Sequence, residues 1–155
     1  MMQKKVQIIS DGSLDLSQEL TKEKDIEVVP FYVSFDSETY QKEMVEVGVR
    51  EFYQEMVDHP TVFPKTSMPS VHDYYEVFEK HAKEQLPVIC ICITRKFSGS
   101  LQSATTAKDM ILEEYPDAQI TVIDSTVNTV LQGLYVFEAC RLRDMGLEYQ
   151  QIVDA

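Results

Sequence analysis

One apolar run, followed by a hydroxyl-rich turn and then by a helical pattern, constrains the fold of this chain most strongly. Residues 86–93 read Leu-Pro-Val-Ile-Cys-Ile-Cys-Ile, and residues 94–100 read Thr-Arg-Lys-Phe-Ser-Gly-Ser. Apolar residues then recur at helical spacing from Leu101 to Tyr115. A short continuous apolar run bounded by turn residues is typical of a buried strand. The pattern therefore predicts a central strand at 87–93 and a helix at 99–115.

Strand and helix patterns alternate along the rest of the chain. We predict further strands at Lys4–Ser10, at Ile26–Phe35 and at Gln119–Ile123, and Pro30 indicates that the second of these lies at an edge or is broken. Other expected elements are a short helix around Leu14–Leu20, a short strand near Tyr40, a helix over Val49–Val57, a helix over Val71–Ala82 with Ser70 as its N-cap, and a helix from Leu131 to Gly146. This alternation predicts an α/β fold, a three-layer α/β/α sandwich with a mainly parallel sheet.

The charge of the chain argues against two classes of partner. It carries 26 acidic and 14 basic residues, a net charge of −12. Nucleic-acid binding depends on cationic side chains that neutralise phosphates, so no nucleic-acid partner is expected. The same charge disfavours docking on an anionic membrane, and no run approaches the roughly 20 apolar residues that a membrane helix needs, so no membrane insertion is predicted.

The cysteines indicate a reducing compartment. Cys90 and Cys92 are two residues apart on a predicted strand, so both side chains point to the same face, with β-carbons too far apart for a comfortable disulfide. With Cys140 they form an odd set, which we interpret as buried thiols. The chain is therefore expected in the cytoplasm, and neither a metal nor another cofactor is predicted.

Hydroxyl-rich segments follow the predicted strands at the edge where parallel sheets bind their ligands. These segments are Ser10-Asp11-Gly12-Ser13, Thr94 to Ser100, and Asp124-Ser125-Thr126, and the Thr66-Ser67 loop could join them. The first turn of a helix has unpaired N–H groups and the positive end of the helix dipole, which together favour an anion. The supporting candidates are Ser10, Asp11, Ser13, Asp124 and Ser125, of which the two acids either orient nearby hydroxyls or hydrogen-bond their own turns.

Motifs of the common nucleotide and hydrolase sites do not occur in the sequence. It has no Walker-type loop, no dinucleotide fingerprint and no nucleophile elbow. His59, His72 and His81 fall in or beside helices, and we expect His81 on a solvated face. Three functions stay open at this point: a lipid-binding module, a small-molecule hydrolase or transferase that uses the strand-end Ser and Asp groups, and a structural domain whose acidic surface contacts a protein.

Several segments, in order along the whole chain, resemble the motifs of the DegV family. They are Ile9–Leu16 against an opening TDS-x-x-DL motif, Val28-Val29-Pro30 against the second strand, Thr66–Ser70 against TSQPS, Phe97–Ala104 against LSGTYQSA, Val122–Ser125 against VIDS, and Gln132-Gly133 against the end of GQG. The sequence departs from these motifs at Gly12, where serine is usual, at Met68, where glutamine is usual, and at Leu131, where the first glycine of GQG is usual.

The resemblance implies a protein that binds a long-chain fatty acid and has no catalytic activity of its own. Some members of the family serve as the acyl-carrying subunit of a bacterial fatty acid kinase, and the partner kinase transfers the phosphoryl group. Carried over to this sequence, the residues that hold the carboxylate are Thr66 and Ser98, with Ser67 and the amides of Gly99 and Ser100 as neighbours.

The resemblance also implies a domain organisation. Residues 1–155 correspond to a single DegV-like domain, whereas family members normally carry a second domain, and the acyl ligand lies where the two meet. We expect that second domain to be absent here, and Ile152 and Val153 to form the apolar face of a helix that the chain does not finish. The chain alone is accordingly expected to bind fatty acid weakly or not at all.

Overall fold

The computed structural model describes residues 5–155, so Lys4, where the predicted first strand begins, lies outside the described residues. The elements in chain order are β1 (Gln7–Asp11), a 3-10 turn (Gly12–Leu14), α1 (Gln18–Glu23), β2 (Ile26–Val29), β3 (Tyr32–Ser34), β4 (Gln41–Lys42), α2 (Val49–Asp58), β5 (Lys65–Ser67), α3 (Val71–Lys83), β6 (Val88–Cys92), α4 (Ser100–Glu114), β7 (Ile120–Asp124), α5 (Thr129–Asp144) and α6 (Tyr149–Asp154).

A four-stranded parallel sheet in the order β2-β1-β6-β7 forms the middle layer, which confirms the predicted α/β sandwich. Alternate residues of the strands point to opposite faces. Val88, Cys90 and Cys92 of β6 pack with the core residues of α3 and α4, whereas Ile89 and Ile91 pack with those of α5 and α6. The sheet is therefore buried on both faces, as the apolar run in β6 predicts.

Pro30 interrupts the predicted strand Ile26–Phe35, as expected. β2 ends at Val29 and forms an edge of the parallel sheet, while β3 belongs to a second, antiparallel sheet in the order β4-β3-β5. The prediction of a loop that begins at Thr66 and Ser67 is wrong, because these two residues pair with Val33 and Tyr32 as part of β5. Polar side chains on this short strand hide its pairing from the sequence pattern.

The cysteines and one histidine occupy the core. Cys90, Cys92 and Cys140 are free and buried, and the Sγ atoms of Cys90 and Cys92 lie 3.7 Å apart. The expectation that His81 faces solvent is wrong, because its side chain is buried on α3 and its Nε2 lies 2.6 Å from Glu27 Oε2. A carboxylate on the edge strand β2 provides a polar partner inside the fold, which a helical pattern alone does not reveal.

A carboxylate at the start of α3 connects that helix to the small sheet. Asp73 Oδ2 accepts from Ser70 N (2.8 Å), and Asp73 Oδ1 accepts from Tyr32 Oη (2.8 Å) and lies 3.2 Å from Lys42 Nζ. Burial raises the pKa of Asp73, but these donors outweigh burial and lower it to about 2. Ionised Asp73 therefore stabilises the fold at neutral pH, and the segment that precedes it is held in place.

Replacing Asp73 by asparagine is expected to lower the free energy of unfolding by about 1–2 kcal/mol at pH 7. A carboxylate whose pKa is lower in the folded state contributes stability above its unfolded pKa and loses it as the pH falls toward the folded value. The difference between the wild type and Asp73→Asn should therefore shrink between pH 4 and pH 2, where the folded pKa lies at about 2. Urea unfolding between pH 2 and pH 7 measures this difference in the free energy of unfolding. Asp117→Asn is the control, because Asp117 is exposed. A difference that is independent of pH would contradict the assignment.

Candidate functional site

The carboxyl edge of the parallel sheet brings three of the predicted hydroxyl-rich segments together. The turn that follows β6 is held to the turn that follows β7, because Thr94 N donates to Val127 O (3.0 Å) and Ser125 N donates to Cys92 O (3.0 Å). The turn after β1 reaches α5, since Thr129 N donates to Ser13 Oγ (3.3 Å). The N-termini of α4 and α5 thus open onto the same edge.

Ser98 presents a hydroxyl at the N-terminus of α4. Its Oγ is half-buried and accepts a hydrogen bond from Ser100 N (3.1 Å). A serine hydroxyl has one hydrogen and two acceptor lone pairs, so this contact leaves the Ser98 hydrogen available to an external acceptor. The amides of Leu101 and Gln102 lie in the first turn of α4, where N–H groups have no intrahelical acceptor. Together these groups favour a negatively charged ligand.

The segment with Thr66 and Ser67 lies beside this turn. A β-carbon built on Gly99 would lie 2.6 Å from Met68 Sδ, so the Met68 side chain occupies the space directly over Gly99. Thr66 and Ser67 are both exposed on β5. The structure therefore brings the 66–70 segment against the Ser98-Gly99 turn.

Asp11 lies beneath the turn and is fully buried. Its Oδ2 accepts from Ile93 N (2.9 Å) and Ser100 Oγ (2.8 Å), and its Oδ1 accepts from Gln132 Nε2 (2.9 Å) and Ser13 N (3.3 Å). Asp11 therefore accepts both from its own turn, at Ser13 N, and from a neighbouring hydroxyl, at Ser100 Oγ. Burial raises the pKa of Asp11, and the hydrogen bonds to it act in the opposite direction.

Most of the supporting candidates are bonded within the protein. Ser10 Oγ donates to Ile91 O (2.9 Å), and Ser125 Oγ donates to Val127 O (3.0 Å). Asp124 Oδ1 accepts from Thr126 N (2.9 Å) in its own turn, and Asp124 Oδ2 lies 3.5 Å from Arg95 Nε. Ser100 donates its N–H to Ser98 and its hydroxyl to Asp11, which corrects the expectation that its amide is available to a ligand.

Gln132 is a residue of this edge whose role the sequence does not reveal. It is fully buried on α5, and its Nε2 contacts Ser10 Oγ (3.0 Å) as well as Asp11. The only sequence signal is its place in the Gln132-Gly133 pair, which matches the end of the GQG motif. It connects α5 to the strand ends.

A groove extends from Thr66 along the small sheet and α2. It has a volume of about 690 Å³, and its apolar lining includes Leu16, Val33, Val49 and Phe52. A second cavity of about 210 Å³ lies against it and extends to Ile26, Val28 and Pro30. The two share the lining residues Gly12, Leu16, Gln18, Glu43 and Met44. The two cavities therefore adjoin, and Gly12 and Thr66 of the hydroxyl-rich segments line the larger one.

The α2 helix, Val49–Asp58, confirms the helix predicted over Val49–Val57. None of its residues is buried, and Val49, Tyr53 and Val57 are each more than half exposed. Phe52, on the same helix, stacks against Phe35 with ring centroids 5.2 Å apart. Three residues of the apolar stripe of α2, Val49, Phe52 and Tyr53, therefore line the groove, and none of α2 is buried in the core.

The Glu43 side chain fills the space beside Gly12, where the sequence departs from the family motif. The Glu43 carboxylate occupies the place of a side chain at position 12, because a β-carbon on Gly12 would collide with Glu43 Oε1. Glu43 Oε1 also accepts from Phe31 N (3.0 Å), and burial raises the pKa of Glu43. Gly12 and Glu43 thus shape the groove together.

Two classes of site find no support among the described residues. His81 lies at the opposite, amino edge of the sheet among Gln7, Ile26 and Leu86. His72 is exposed on α3, and His59 is exposed directly after α2, so no histidine within residues 5–155 contacts Ser98 or Asp11. No group of three His, Cys, Asp or Glu side chains in this range could hold a metal ion. No helix in the same range has the length and apolar character to span a bilayer.

The family model and the curated relatives that match this chain all belong to one family. Residues 5–155 match the model for "Uncharacterised protein, DegV family COG1307". DegV domain-containing proteins of Clostridium acetobutylicum and Halalkalibacterium halodurans are 34% identical over 148 residues and 36% identical over 151 residues. The chain covers 51% of the length of each, so it spans about half the length of these curated relatives, while 96% and 97% of the chain is matched.

Solved structures give the same result for the fold. A stearic-acid-binding protein from Eubacterium ventriosum is 46% identical, with a TM-score of 0.92 over 96% of this chain and 51% of that one. A DegV family protein from Thermus thermophilus, described by its fatty acid binding, is 28% identical, with a TM-score of 0.79 over 97% of this chain and 51% of that one.

Proposed function

The chain belongs to the DegV family, and from this premise we propose that it binds a long-chain fatty acid at the carboxyl edge of its parallel sheet. Thr66 and Ser98 hold the carboxylate, with Ser67 and Gly99 beside them. The acyl chain lies in the groove between α2 and the 3-10 turn. The observation that carries the proposal is that the lining of a partly apolar groove includes Thr66, whose segment lies against the Ser98-Gly99 turn.

The two parts of the site contribute differently to affinity. A hydrogen bond to a charged group contributes about 1.5–3 kcal/mol. Each buried methylene contributes about 0.8 kcal/mol, so a sixteen-carbon tail gains roughly 11 kcal/mol before entropic costs. The groove therefore supplies most of the binding free energy, and the hydroxyls fix which end of the ligand lies at the sheet edge.

The relatives are about twice as long as this chain, which affects how tightly the chain alone is expected to bind a fatty acid. The apolar stripe of α2 is exposed along the groove, so a tail placed there keeps part of its surface in water. We propose that polypeptide corresponding to the other half of the relatives covers the ligand. The chain alone is then expected to bind palmitate more weakly than micromolar, and micromolar or tighter binding in calorimetry would contradict this part of the proposal.

The proposal includes a partner and a location. The family resemblance implies that a protein of this kind presents its fatty acid to a fatty acid kinase, which carries out the phosphoryl transfer, so no catalytic step is assigned to this chain. Within residues 5–155 no histidine lies beside the strand-end hydroxyls to activate one of them, which favours a binding role over a hydrolase or transferase. The free cysteines support a cytoplasmic location.

Ser98→Ala and Thr66→Ala are each expected to weaken carboxylate binding at least tenfold, because each removes about 1.5–3 kcal/mol of hydrogen bonding to a charged group. Decanoate, a soluble fatty acid, is titrated into ¹⁵N-labelled chain, and amide shifts follow weak binding. Thr66 is exposed, so Thr66→Ala should keep the unfolding midpoint of the wild type. Ser98→Ala also removes the acceptor of Ser100 N and should lower the free energy of unfolding by about 1 kcal/mol.

Thr61→Ala is the matched control, since Thr61 is an exposed threonine that does not line the groove. This variant should bind decanoate like the wild type. Unchanged binding in both Ser98→Ala and Thr66→Ala would exclude the assigned headgroup site, even if the chain binds fatty acid elsewhere.

A further inference from the structure

We propose that Asp11 is a positioning residue for the headgroup site: it holds Ser100, and the Ser100 amide in turn fixes the hydroxyl of Ser98 toward the ligand. This inference rests on the proposed function and deepens it. Asp11 itself touches no ligand in this arrangement, because its side chain is fully buried beneath the turn.

The first step is the convergence of chain segments on one carboxylate. Asp11 ends β1, Ile93 follows β6, Ser100 begins α4 and Gln132 lies near the start of α5. Each of the last three donates a hydrogen bond to Asp11, at 2.8–2.9 Å. The acid therefore connects both ends of the 93–100 turn, which carries Ser98, to the sheet and to α5.

The second step is the immobilisation of Ser100. Its hydroxyl donates to Asp11 Oδ2 (2.8 Å) and accepts from Tyr74 Oη (2.6 Å), and all three side chains are fully buried. Because the Ser100 hydroxyl donates its one hydrogen to the Asp11 carboxylate, it can only accept from Tyr74. The donor and acceptor roles of the three side chains are therefore fixed. Ser100 cannot rotate without breaking two buried hydrogen bonds.

The third step is the positioning of the Ser98 hydroxyl by Ser100. Ser100 N donates to Ser98 Oγ (3.1 Å), so it uses one lone pair of the Ser98 hydroxyl and directs the hydrogen away from the helix. Preorganised donors bind an anion more tightly than donors that must first be oriented. Asp11 therefore contributes to affinity for the carboxylate and not to affinity for the acyl chain, which lies against other residues.

The test compares the binding of decanoate with the binding of 1-decanol, which has no carboxylate, to the full chain carrying Asp11→Asn. Asparagine keeps the shape but replaces one acceptor oxygen by an N–H donor that faces other donors. We expect decanoate binding to weaken about fivefold, the effect of losing about 1 kcal/mol of hydrogen bonding, while 1-decanol binding changes less than twofold. In the ligand-free variant, the NMR resonance of the Ser100 amide should also differ from that of the wild type, and its amide hydrogen should exchange with solvent faster. Asp117→Asn is the control and should leave both ligands and this amide unchanged, because Asp117 is exposed and precedes β7, at the end of the strand opposite the headgroup site.

Equal weakening of decanoate and decanol with an unchanged Ser100 amide would overturn the inference and leave Asp11 a purely structural residue. If Asp11→Asn does not fold, Tyr74→Phe decides, since it removes the other bond to the Ser100 hydroxyl, together with a 3.6 Å contact to Cys92 Sγ, and keeps Asp11. Tyr74→Phe should also weaken decanoate binding more than 1-decanol binding. Equal changes in affinity for the two ligands, relative to the wild type, would overturn the inference. If the wild-type chain binds neither probe, which the weak binding expected of the chain alone allows, the Ser100 amide in free Asp11→Asn still tests the positioning step, and an unchanged amide overturns the inference.

Discussion

Phe78→Ala is expected to lower the free energy of unfolding by about 3–5 kcal/mol. Phe78 is fully buried on α3, and its ring lies 5.8 Å from that of Tyr74, between the sheet and α4. The substitution removes apolar surface from the core and leaves a cavity that the surrounding helices cannot close. Since Tyr74 also holds Ser100, this loss should loosen the headgroup turn as well as the fold.

Urea unfolding, followed by circular dichroism, measures this change. Phe63→Ala is the matched control, because the Phe63 side chain is 81% exposed and its loss should change stability by less than about 0.5 kcal/mol. Similar stability losses in the two variants would contradict the placement of α3 over the sheet.

Gly133→Val is expected to destabilise the fold by about 3 kcal/mol through overpacking. A β-carbon at this position would lie 2.6 Å from the backbone oxygen of Leu14 and 3.1 Å from the Leu16 side chain. A backbone oxygen cannot move aside as a flexible side chain does, so α5 must separate from the 3-10 turn. Leu16 also lines the groove, and fatty acid binding should weaken in parallel.

Gly48 provides the comparison, because a β-carbon there meets nothing within 4 Å. Gly48→Val should change stability by less than about 0.5 kcal/mol, apart from the small cost of losing a favoured N-cap residue. If Gly133→Val is as stable as Gly48→Val, the close approach of α5 to the turn does not exist.

The elements that local patterns specify were predictable from the sequence. The apolar run before Thr94 predicts β6 because a strand buried on both faces needs apolar side chains on each, and Pro30 breaks the second strand because it fixes φ and lacks an N–H. Ser70 caps α3, as its place before an apolar helical stripe predicts. The convergence of the strand-end turns at one edge follows from parallel strands.

Features that depend on long-range partners were not predictable. The pairing of Lys65–Ser67 with Tyr32–Ser34 has no apolar alternation, and polar exposed residues resemble a loop. His81 and Gln132 are polar residues on helices, and only the contacts with Glu27 and with Asp11 explain their burial. In the site, the segments could be placed by topology, whereas the use of Ser100 as an internal donor depends on a side-chain geometry that sequence spacing does not encode.

The most direct test of the central claim is a crystal structure of the chain soaked with 11-bromoundecanoic acid, in which anomalous scattering locates the far end of the tail. We expect the carboxylate within hydrogen-bond distance of Ser98 Oγ and Thr66 Oγ1, and the bromine in the groove between α2 and the turn that contains Gly12. A carboxylate bound elsewhere, for example beside His81 at the amino edge of the sheet, would contradict the account.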